Sequence, residues 1–223
     1  MILSIDTATE SASICLSNNG NTLCLFENKD QKDHAAWLHE AIDEVIRSNG
    51  FSIKDITAVA VTEGPGSYTG LRVGLSAAKG LCYALQIPLI TENTLKVMAY
   101  AATTQLKIDK ASILCPMIDA KRMEVFTGLY TPDLEELILP TAVILDEHSF
   151  NDELNTCTIY FFGNGSIKWK KIATHKNARF VESSGHAGHL AQLAYQKLSK
   201  NQFTDIIYSQ PAYIKDFHSY IKK

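Results

Sequence analysis

Apolar and turn-forming segments alternate over the first 26 residues of the chain. An apolar run over 2–6 ends in an acid, Asp6, and a run over 12–16 alternates apolar with polar positions. An Asn-Asn-Gly turn at 18–20 separates that run from another over 23–26. Because strands have a period of two and Asn-Gly marks tight turns, this pattern predicts three strands joined by short turns.

Helical spacing follows these strands. A helix predicted over 33–49 begins at Asp33, a good N-cap residue, and stops before Gly50, a good C′ residue. Its apolar face is formed by Leu38, Ala41, Ile42, Val45 and Ile46. A glycine-rich turn then opens a second helix predicted over 69–85. The other elements predicted in this half are a buried strand over 56–62, a short strand over 87–90 and a helix over 93–106.

The opening pattern returns in the second half of the chain. An apolar run over 113–119 again ends in an acid, Asp119, and a returning strand is predicted over 123–130. Thinner elements follow, with strands predicted over 158–162 and 179–182 and a helix over 187–198. The repeat predicts a pseudo-duplicated α/β protein with a mixed sheet and flanking helices in each lobe. We expect an N-terminal lobe over 1–106 and a smaller C-terminal lobe over 107–223, whose tail over 205–223 packs back on the first lobe.

Composition and charge narrow the class of protein. A length of 223 residues fits one large domain or two small lobes, and 46% hydrophobic content is that of a globular protein. The net charge of −3 argues against a free-standing nucleic-acid binder. There is no basic leader and no long apolar run. Five cysteines without a CxxC pair are typical of free thiols in a reducing compartment, so we expect a cytoplasmic protein.

The segment over 63–74 is rich in glycine and lies between a predicted strand and a predicted helix, the context in which phosphates bind helix N-termini. Its spacing, GxGxxxG, fits neither the P-loop nor the dinucleotide fingerprint. A phosphate-cradling role is therefore the minor interpretation.

Small residues recur every four positions along the second helix, at Gly70, Gly74 and Ala78, and Ala77 and Gly80 widen the strip. Each interior glycine costs roughly 1 kcal/mol relative to alanine, so something must approach this backbone closely. The strip packs either on the sheet of its own lobe or on a helix of another chain. The second hypothesis gives a partner interface formed by His34, Trp37, Leu38, Ala41, Ile42, Val45, Gly70, Leu71, Val73, Gly74, Leu75, Ala77, Ala78 and Leu81.

Candidate catalytic and metal-binding residues are few. His34 and His39 do not share a helix face, and His186 with His189 offers at most a weak pair, so no metal site is predicted. Asp6 and Asp119 are weak candidates for holding a magnesium-nucleotide, and they are equally suited to closing turns at strand ends. No GxSxG motif supports a serine hydrolase. A basic stretch of Lys168, Lys170, Lys171, Lys176 and Arg179 is interpreted as a solvated face, with an RNA contact as the alternative.

Four segments together resemble the bacterial TsaB family: ILSIDTATESASICL over 2–16, VTEGPGSYTGLRVGLSAAKGLCYAL over 61–85, PMIDAKRMEVFTGLY over 116–130 and PAYIKDF over 211–217. The resemblance covers nearly the full chain. It implies the two-lobed ASKHA fold of actin, hexokinase and Hsp70, with a reduced C-terminal lobe.

The resemblance also implies a function. TsaB is the dimerisation subunit of a complex in which TsaD transfers threonylcarbamoyl from threonylcarbamoyl-AMP to the adenosine 3′ of the anticodon, in tRNAs that read codons beginning with A. It implies that this chain binds TsaD through its two N-lobe helices, docks the ATPase TsaE, contacts tRNA through the complex and forms a homodimer when alone. ATP, magnesium and a metal in the partner serve the complex, and no cofactor is expected on this chain.

One departure from TsaD bears on catalysis. Where that paralogue carries an HxxxH metal pair, this chain reads Thr-Glu-Asn-Thr-Leu-Lys over 91–96. We therefore expect a non-catalytic subunit. The alternatives are an ASKHA-type nucleotide phosphotransferase using Asp6 and Asp119 and, more remotely, a metalloprotease.

Overall fold

The computed structural model describes residues 1–29 and 34–215, without the side chains of His34 and Ala35. The predicted N-cap, Asp33, lies outside the described residues. Two five-stranded mixed sheets form the framework, and helices cover their faces. No helix of the described chain is long and apolar enough to cross a membrane.

The first sheet has the strand order β3-β2-β1-β4-β5. Its strands are β1 (Ile2–Asp6), β2 (Ala12–Asn18), β3 (Asn21–Asn28), β4 (Ala58–Gly64) and β5 (Leu89–Asn93). β1, β2 and β3 pair antiparallel, whereas β4 runs parallel to β1 and to β5. Turns of two or a few residues join the antiparallel strands, and helical crossovers join the parallel ones, as the chain geometry requires.

Alternate residues of this sheet feed two separate cores. Leu3, Ile5 and Val61 face α1 (His34–Arg47) and α2 (Tyr68–Leu85). Ile2, Ala60 and Ile90 face the opposite way, toward Val97 of α3 (Thr94–Gln105) and toward α6 (Ala187–Ser199). The centre of the sheet is therefore covered on both faces, which explains the nearly continuous apolar runs of β1 and β4.

The second sheet repeats the pairing scheme of the first and has the order β10-β9-β6-β7-β8. Its strands are β6 (Ile113–Asp119), β7 (Glu124–Tyr130), β8 (Glu136–Ile144), β9 (Ile159–Phe162) and β10 (Ala178–Phe180), with the short helices α4 (Asn151–Leu154) and α5 (Ser166–Trp169). β6 pairs antiparallel with β7 and parallel with β9, as β1 does with β2 and β4. The predicted duplication of a mixed-sheet α/β unit is confirmed.

The sequence pattern did not reveal β8, and it did not show that α6 packs on the first sheet. β8 carries Pro140 and pairs only with β7, at the edge of the sheet, where a missing N–H is tolerated. α6 lies in the segment expected to form the C-terminal lobe, but Leu190 and Leu193 pack on the first sheet. The division into 1–106 and 107–223 as domains stays a prediction.

Candidate docking surface and interlobe cleft

The glycine-rich segment between β4 and α2 is held by the loop after β1. The Ser67 amide donates to the Ala8 carbonyl at 2.7 Å, and the Thr7 hydroxyl donates to the Gly70 carbonyl at 2.7 Å. A Cβ at Gly66 would lie 2.2 Å from the Ala8 oxygen, and one at Gly70 would lie 2.1 Å from the Thr7 oxygen. These glycines therefore allow two backbone segments of the same lobe to touch.

The small-residue strip faces the same way, so its assignment to a partner is corrected. A Cβ at Gly74 would lie 2.3 Å from the Thr7 hydroxyl oxygen, and Ala78 is fully buried in the first core. Gly70, Gly74 and Ala78 thus serve packing on their own sheet. Other predicted interface residues are also buried in this lobe, with 7% exposure or less: Leu38, Ala41, Ile42, Val45, Leu71 and Leu75.

The phosphate-cradling interpretation of this segment also loses its geometry. Among the amides at the start of α2, that of Gly70 donates to the Ser67 hydroxyl, and the Ser67 amide donates to the Ala8 carbonyl. The carbonyl oxygen of Ala212 lies 2.7 Å from where a Cβ of Gly64 would be. Contacts within the chain therefore engage part of the segment that a phosphate would use.

An open depression lies between α1 and α2, about 110° around α2 from the small-residue strip. Its volume is about 580 Å³, and its lining is formed by His39, Ile42, Arg72, Val73, Ser76, Ala77, Gly80 and Leu81. We call it the docking depression. Val73, Ala77 and Leu81 are half-buried, and nothing lies within 4 Å of a Cβ built on Gly80. Small residues on this side leave room for an approaching surface.

Four of the fourteen predicted interface residues line this depression, and its other four lining residues were not among the fourteen. Ile42, Val73, Ala77 and Leu81 line it, and Trp37 is half-buried at the edge of the same core. The side chain of His34 lies outside the described residues. The sequence pattern assigned Gly80 to the small-residue strip, whereas it missed His39, Arg72 and Ser76. All four follow helical spacing with those found, which is the signal that could have revealed them.

Arg72 stands at the rim of the docking depression and is held by two tyrosines. Its Nε donates to the Tyr213 hydroxyl at 2.9 Å, and its guanidinium carbon lies 3.9 Å from the centre of the Tyr68 ring. The hydrogen bond to Tyr213 is the main cause that raises the pKa of Arg72, so the side chain stays cationic.

Asp6 lies at the bottom of a cleft between the lobes. The cleft has a volume of about 240 Å³, and Glu10, Glu27, Asn164 and His186 are among the residues that line it with Asp6. Asp6 Oδ1 accepts hydrogen bonds from the Ala8 amide at 3.1 Å and the Thr62 hydroxyl at 2.9 Å. Burial raises the pKa of Asp6, although both hydrogen bonds act in the opposite direction. Asp6 therefore closes the turn after β1, the strand-end role that the sequence left open.

Asp119, at the matching end of β6, is engaged by a lysine. Lys168 Nζ contacts Asp119 Oδ1 at 2.5 Å and also donates to the Arg122 carbonyl at 2.9 Å. Burial acts to raise the pKa of Asp119, but the hydrogen bonds from Lys168 and from the Lys121 amide outweigh it, so this pKa is lowered. The Lys168 ammonium group is consequently engaged in contacts within its own lobe. The other residues of the basic stretch are exposed: Lys170, Lys171, Lys176 and Arg179.

The His186–His189 pair is a packing contact at the start of α6. The two rings lie 3.8 Å apart, and His186 Nδ1 accepts a hydrogen bond from the Gly188 amide. Burial lowers the pKa of His189 to about 4, so its ring is neutral at physiological pH. No group of three or more His, Cys, Asp or Glu residues suited to a metal ion occurs within residues 1–29 and 34–215.

Comparisons with known proteins agree with this architecture. A family model described as "TsaD: tRNA N6-adenosine threonylcarbamoyltransferase" matches residues 28–149. The tRNA threonylcarbamoyladenosine biosynthesis protein TsaB of Escherichia coli is 36% identical over 96% of this chain and 94% of its own length. The chain belongs to the TsaB family. Its relatives from Escherichia coli, Haemophilus influenzae and Bacillus subtilis are all described as the tRNA threonylcarbamoyladenosine biosynthesis protein TsaB.

Solved structures agree on the fold of this TsaB-family chain. A Pseudomonas aeruginosa protein, described as having similarity to peptidase YeaZ, superposes with a TM-score of 0.83 at 22% identity, covering 96% of this chain and 99% of that one. A ROK-family transcriptional regulator superposes with a TM-score of 0.50 at 13% identity, covering 90% and 79%. The predicted two-lobed ASKHA fold is confirmed.

Proposed function

We propose that this chain is a non-catalytic docking subunit in tRNA threonylcarbamoyladenosine formation. It binds a TsaD-type paralogue through the docking depression between α1 and α2, and the pair so formed recruits the ATPase TsaE and contacts tRNA in the cytoplasm. The observation that carries the proposal is an open, largely apolar depression between two helices of a TsaB-family protein. Apolar helix surfaces that remain exposed in a monomer are typical of protein interaction sites.

The state of the two strand-end acids supports a non-catalytic role. A carboxylate that holds magnesium must present free oxygens to the ion. Oδ1 of the buried Asp6 already accepts two hydrogen bonds, and Oδ1 of Asp119 is paired with Lys168, so one oxygen of each carboxylate is engaged within the chain. An ASKHA-type phosphotransferase remains the alternative. Binding of ATP with magnesium to the isolated chain at micromolar concentration, lost in Asp6→Ala, would favour that alternative, and metal analysis of the purified protein tests the metalloprotease.

The decisive experiment measures binding of the cognate TsaD-type paralogue by calorimetry. Leu75 and Gly74 are unsuitable for substitution because both are buried in the lobe's own core. Gly80→Arg instead places a long charged side chain in the docking depression at a position where an added Cβ meets no atom, and Ala77→Arg does so at a half-buried position beside the core. We expect each to weaken the complex at least 100-fold, about 2.7 kcal/mol, the scale of an interface hot spot.

The matched control is Ala111→Arg, which makes the same change at an exposed alanine of the loop before β6. We expect this variant to bind like the wild type, and thermal unfolding checks that all three variants are folded. Wild-type affinity in both depression variants would refute the assignment of this surface.

Two further measurements separate the partners. When the chain is alone, we expect a second copy to occupy the depression, so sedimentation should detect a homodimer that Gly80→Arg disrupts and the paralogue displaces. Reconstitution of tRNA modification with and without this chain tests whether it is required, and a full rate without it would contradict the proposal.

A further inference from the structure

The C-terminal segment over 203–215, here called the strap, crosses the outer side of the first lobe. Thr204 pairs with Leu89 at the edge of β5, and Lys79 Nζ donates to the Ile207 and Ser209 carbonyls at 3.4 and 2.9 Å. Farther along, the Ala212 amide donates to the Glu63 carbonyl at 2.7 Å. The strap is thus fastened to β5, α2 and β4 in turn.

The last described residues of the strap reach both lobes. The Tyr213 ring lies 5.3 Å from the Tyr68 ring, centre to centre, while its hydroxyl accepts the hydrogen bond from Arg72 Nε. Two residues later, Lys215 forms an ion pair with Glu124 of β7. The Tyr213 ring is therefore anchored on both sides along the chain, by the Ala212 backbone and by the Lys215 side chain.

Arg72 belongs to the docking depression and to this tyrosine cluster at once. Its guanidinium lies over the Tyr68 ring at 3.9 Å and near the Tyr213 ring at 5.9 Å, a cation–π arrangement that restricts where the group can move. An exposed arginine without such contacts samples many rotamers, and that freedom is lost on binding. Here the protein has already removed much of it.

We propose that Tyr213 is a positioning residue, which holds Arg72 at the rim of the docking depression so that its guanidinium receives a carboxylate of the docking partner. This inference rests on the proposed function, and it names the chemistry that the partner brings. It also gives the PAYIK segment of the sequence a role.

Charge complementarity points to a carboxylate. Among the described residues, the ionisable ones that line the depression are Arg72 and His39, and none of the lining residues is acidic. A guanidinium has five N–H donors in a planar fork, and Tyr213 takes the one on Nε. A carboxylate matches the geometry of such a fork, with two parallel charge-assisted hydrogen bonds.

A double-mutant cycle tests the positioning role in the complete chain. Arg72→Ala should weaken binding of the TsaD-type paralogue by tenfold to 100-fold, and Tyr213→Phe, which keeps the ring and removes the hydroxyl, by threefold to tenfold. In the Arg72→Ala background, Tyr213→Phe should have no further effect, because its contribution passes through Arg72. Tyr208→Phe is the matched control in the strap, since the described structure gives its hydroxyl no partner, and it should bind like the wild type.

A second readout does not depend on the partner. The chain has four arginines, so the side-chain Nε–H signals in a nitrogen-15 spectrum can be assigned by single Arg→Lys variants. We expect the Arg72 signal to exchange slowly with water in the wild type and to lose that protection in Tyr213→Phe, but not in Tyr208→Phe.

The outcomes separate the two proposals. Equal losses for Tyr213→Phe with and without Arg72, or an unchanged Arg72 signal, would overturn the positioning role. A wild-type chain that does not bind the paralogue would overturn the proposed function and the carboxylate contact with it, whereas the spectrum would still decide whether Tyr213 holds Arg72. Retention of affinity in Arg72→Lys would refute recognition by a two-pronged fork.

Discussion

The two faces of α2 make opposite predictions for the same substitution, glycine to alanine. At Gly80 an added Cβ meets no atom within 4 Å. Alanine is there the better helix former, by roughly 1 kcal/mol, so Gly80→Ala should stabilise the fold by up to that amount. Alanine is also the better helix former at Gly70. The difference in stability between Gly80→Ala and Gly70→Ala therefore measures the packing around Gly70.

At Gly70 the added Cβ would lie 2.1 Å from the Thr7 carbonyl oxygen, more than 1 Å closer than an ordinary contact. The loop after β1 must then move, which overpacks the site at a cost of about 1–3 kcal/mol. The same movement breaks the buried hydrogen bond from Thr7 to the Gly70 carbonyl, at a further cost of about 1–3 kcal/mol. After subtracting the helical gain, we expect Gly70→Ala to destabilise the protein by about 3 kcal/mol.

Urea unfolding followed by circular dichroism, without any partner, measures both variants on one scale. A loss of about 3 kcal/mol in a chain of this size corresponds to a fall in Tm of roughly 6–12 °C. If Gly70→Ala were as stable as Gly80→Ala, the strip would not face Thr7, and the orientation of α2 described above would be wrong.

Three more predictions concern ionisable groups of the two lobes. Because burial raises the pKa of Asp6 on folding, its ionisation opposes folding at neutral pH. Asp6→Asn keeps the Oδ1 acceptor and should therefore unfold at a higher urea concentration than the wild type at pH 7. That difference should disappear toward pH 4. Because the pKa of Asp119 is lowered on folding, its pairing with Lys168 stabilises the fold above about pH 4, and this stabilisation is lost as the pH falls. Lys168→Met should therefore lower the free energy of unfolding by about 1–3 kcal/mol at pH 7 and by less at pH 3. Burial raises the pKa of Cys15 and Cys82 to about 11 and that of Cys115 to about 12, so a thiol reagent should label these three only after unfolding, as mass spectrometry of the native and denatured protein can check.

For each of these three predictions, one result would contradict the reasoning. A lower urea midpoint for Asp6→Asn at pH 7 would mean that the carboxylate is needed in its charged form. If the loss of stability in Lys168→Met did not depend on pH, Lys168 would stabilise the fold through its contacts with backbone carbonyls alone and not through Asp119. Rapid labelling of Cys115 in the native protein would show that the second lobe opens.

Local spacing predicted the bounds of α2 to within one residue, 69–85 against Tyr68–Leu85, because glycine, cap and apolar signals coincide there. It could not say which side of α2 meets the sheet. Gly70, Gly74 and Ala78 form one small-residue row, whereas Val73, Ala77 and Gly80 form another, and the choice between them is made by Thr7, which is far away in sequence. Helical periodicity records the faces of a helix and not their neighbours.

The strap was visible in the sequence only as a tail expected to pack back on the first lobe. Its partners are backbone groups such as the Glu63 carbonyl and single side chains such as Arg72, and these leave no periodic trace along the chain. Residue resemblance, carried by PAYIKDF, marked the segment as informative without giving it a contact. A pairing of two distant segments through one or two hydrogen bonds requires the folded coordinates.

The placement of α6 has a consequence for how this protein is made. The apolar side of the first sheet that carries Ile2, Ala60 and Ile90 is completed by Leu190 and Leu193, which are synthesised long after β5, the last strand of that sheet. Until α6 has been made, therefore, a strip of that sheet has no cover from its own polypeptide. This uncovered apolar surface is prone to aggregation, so a fragment that stops before α6 should aggregate when it is produced by itself.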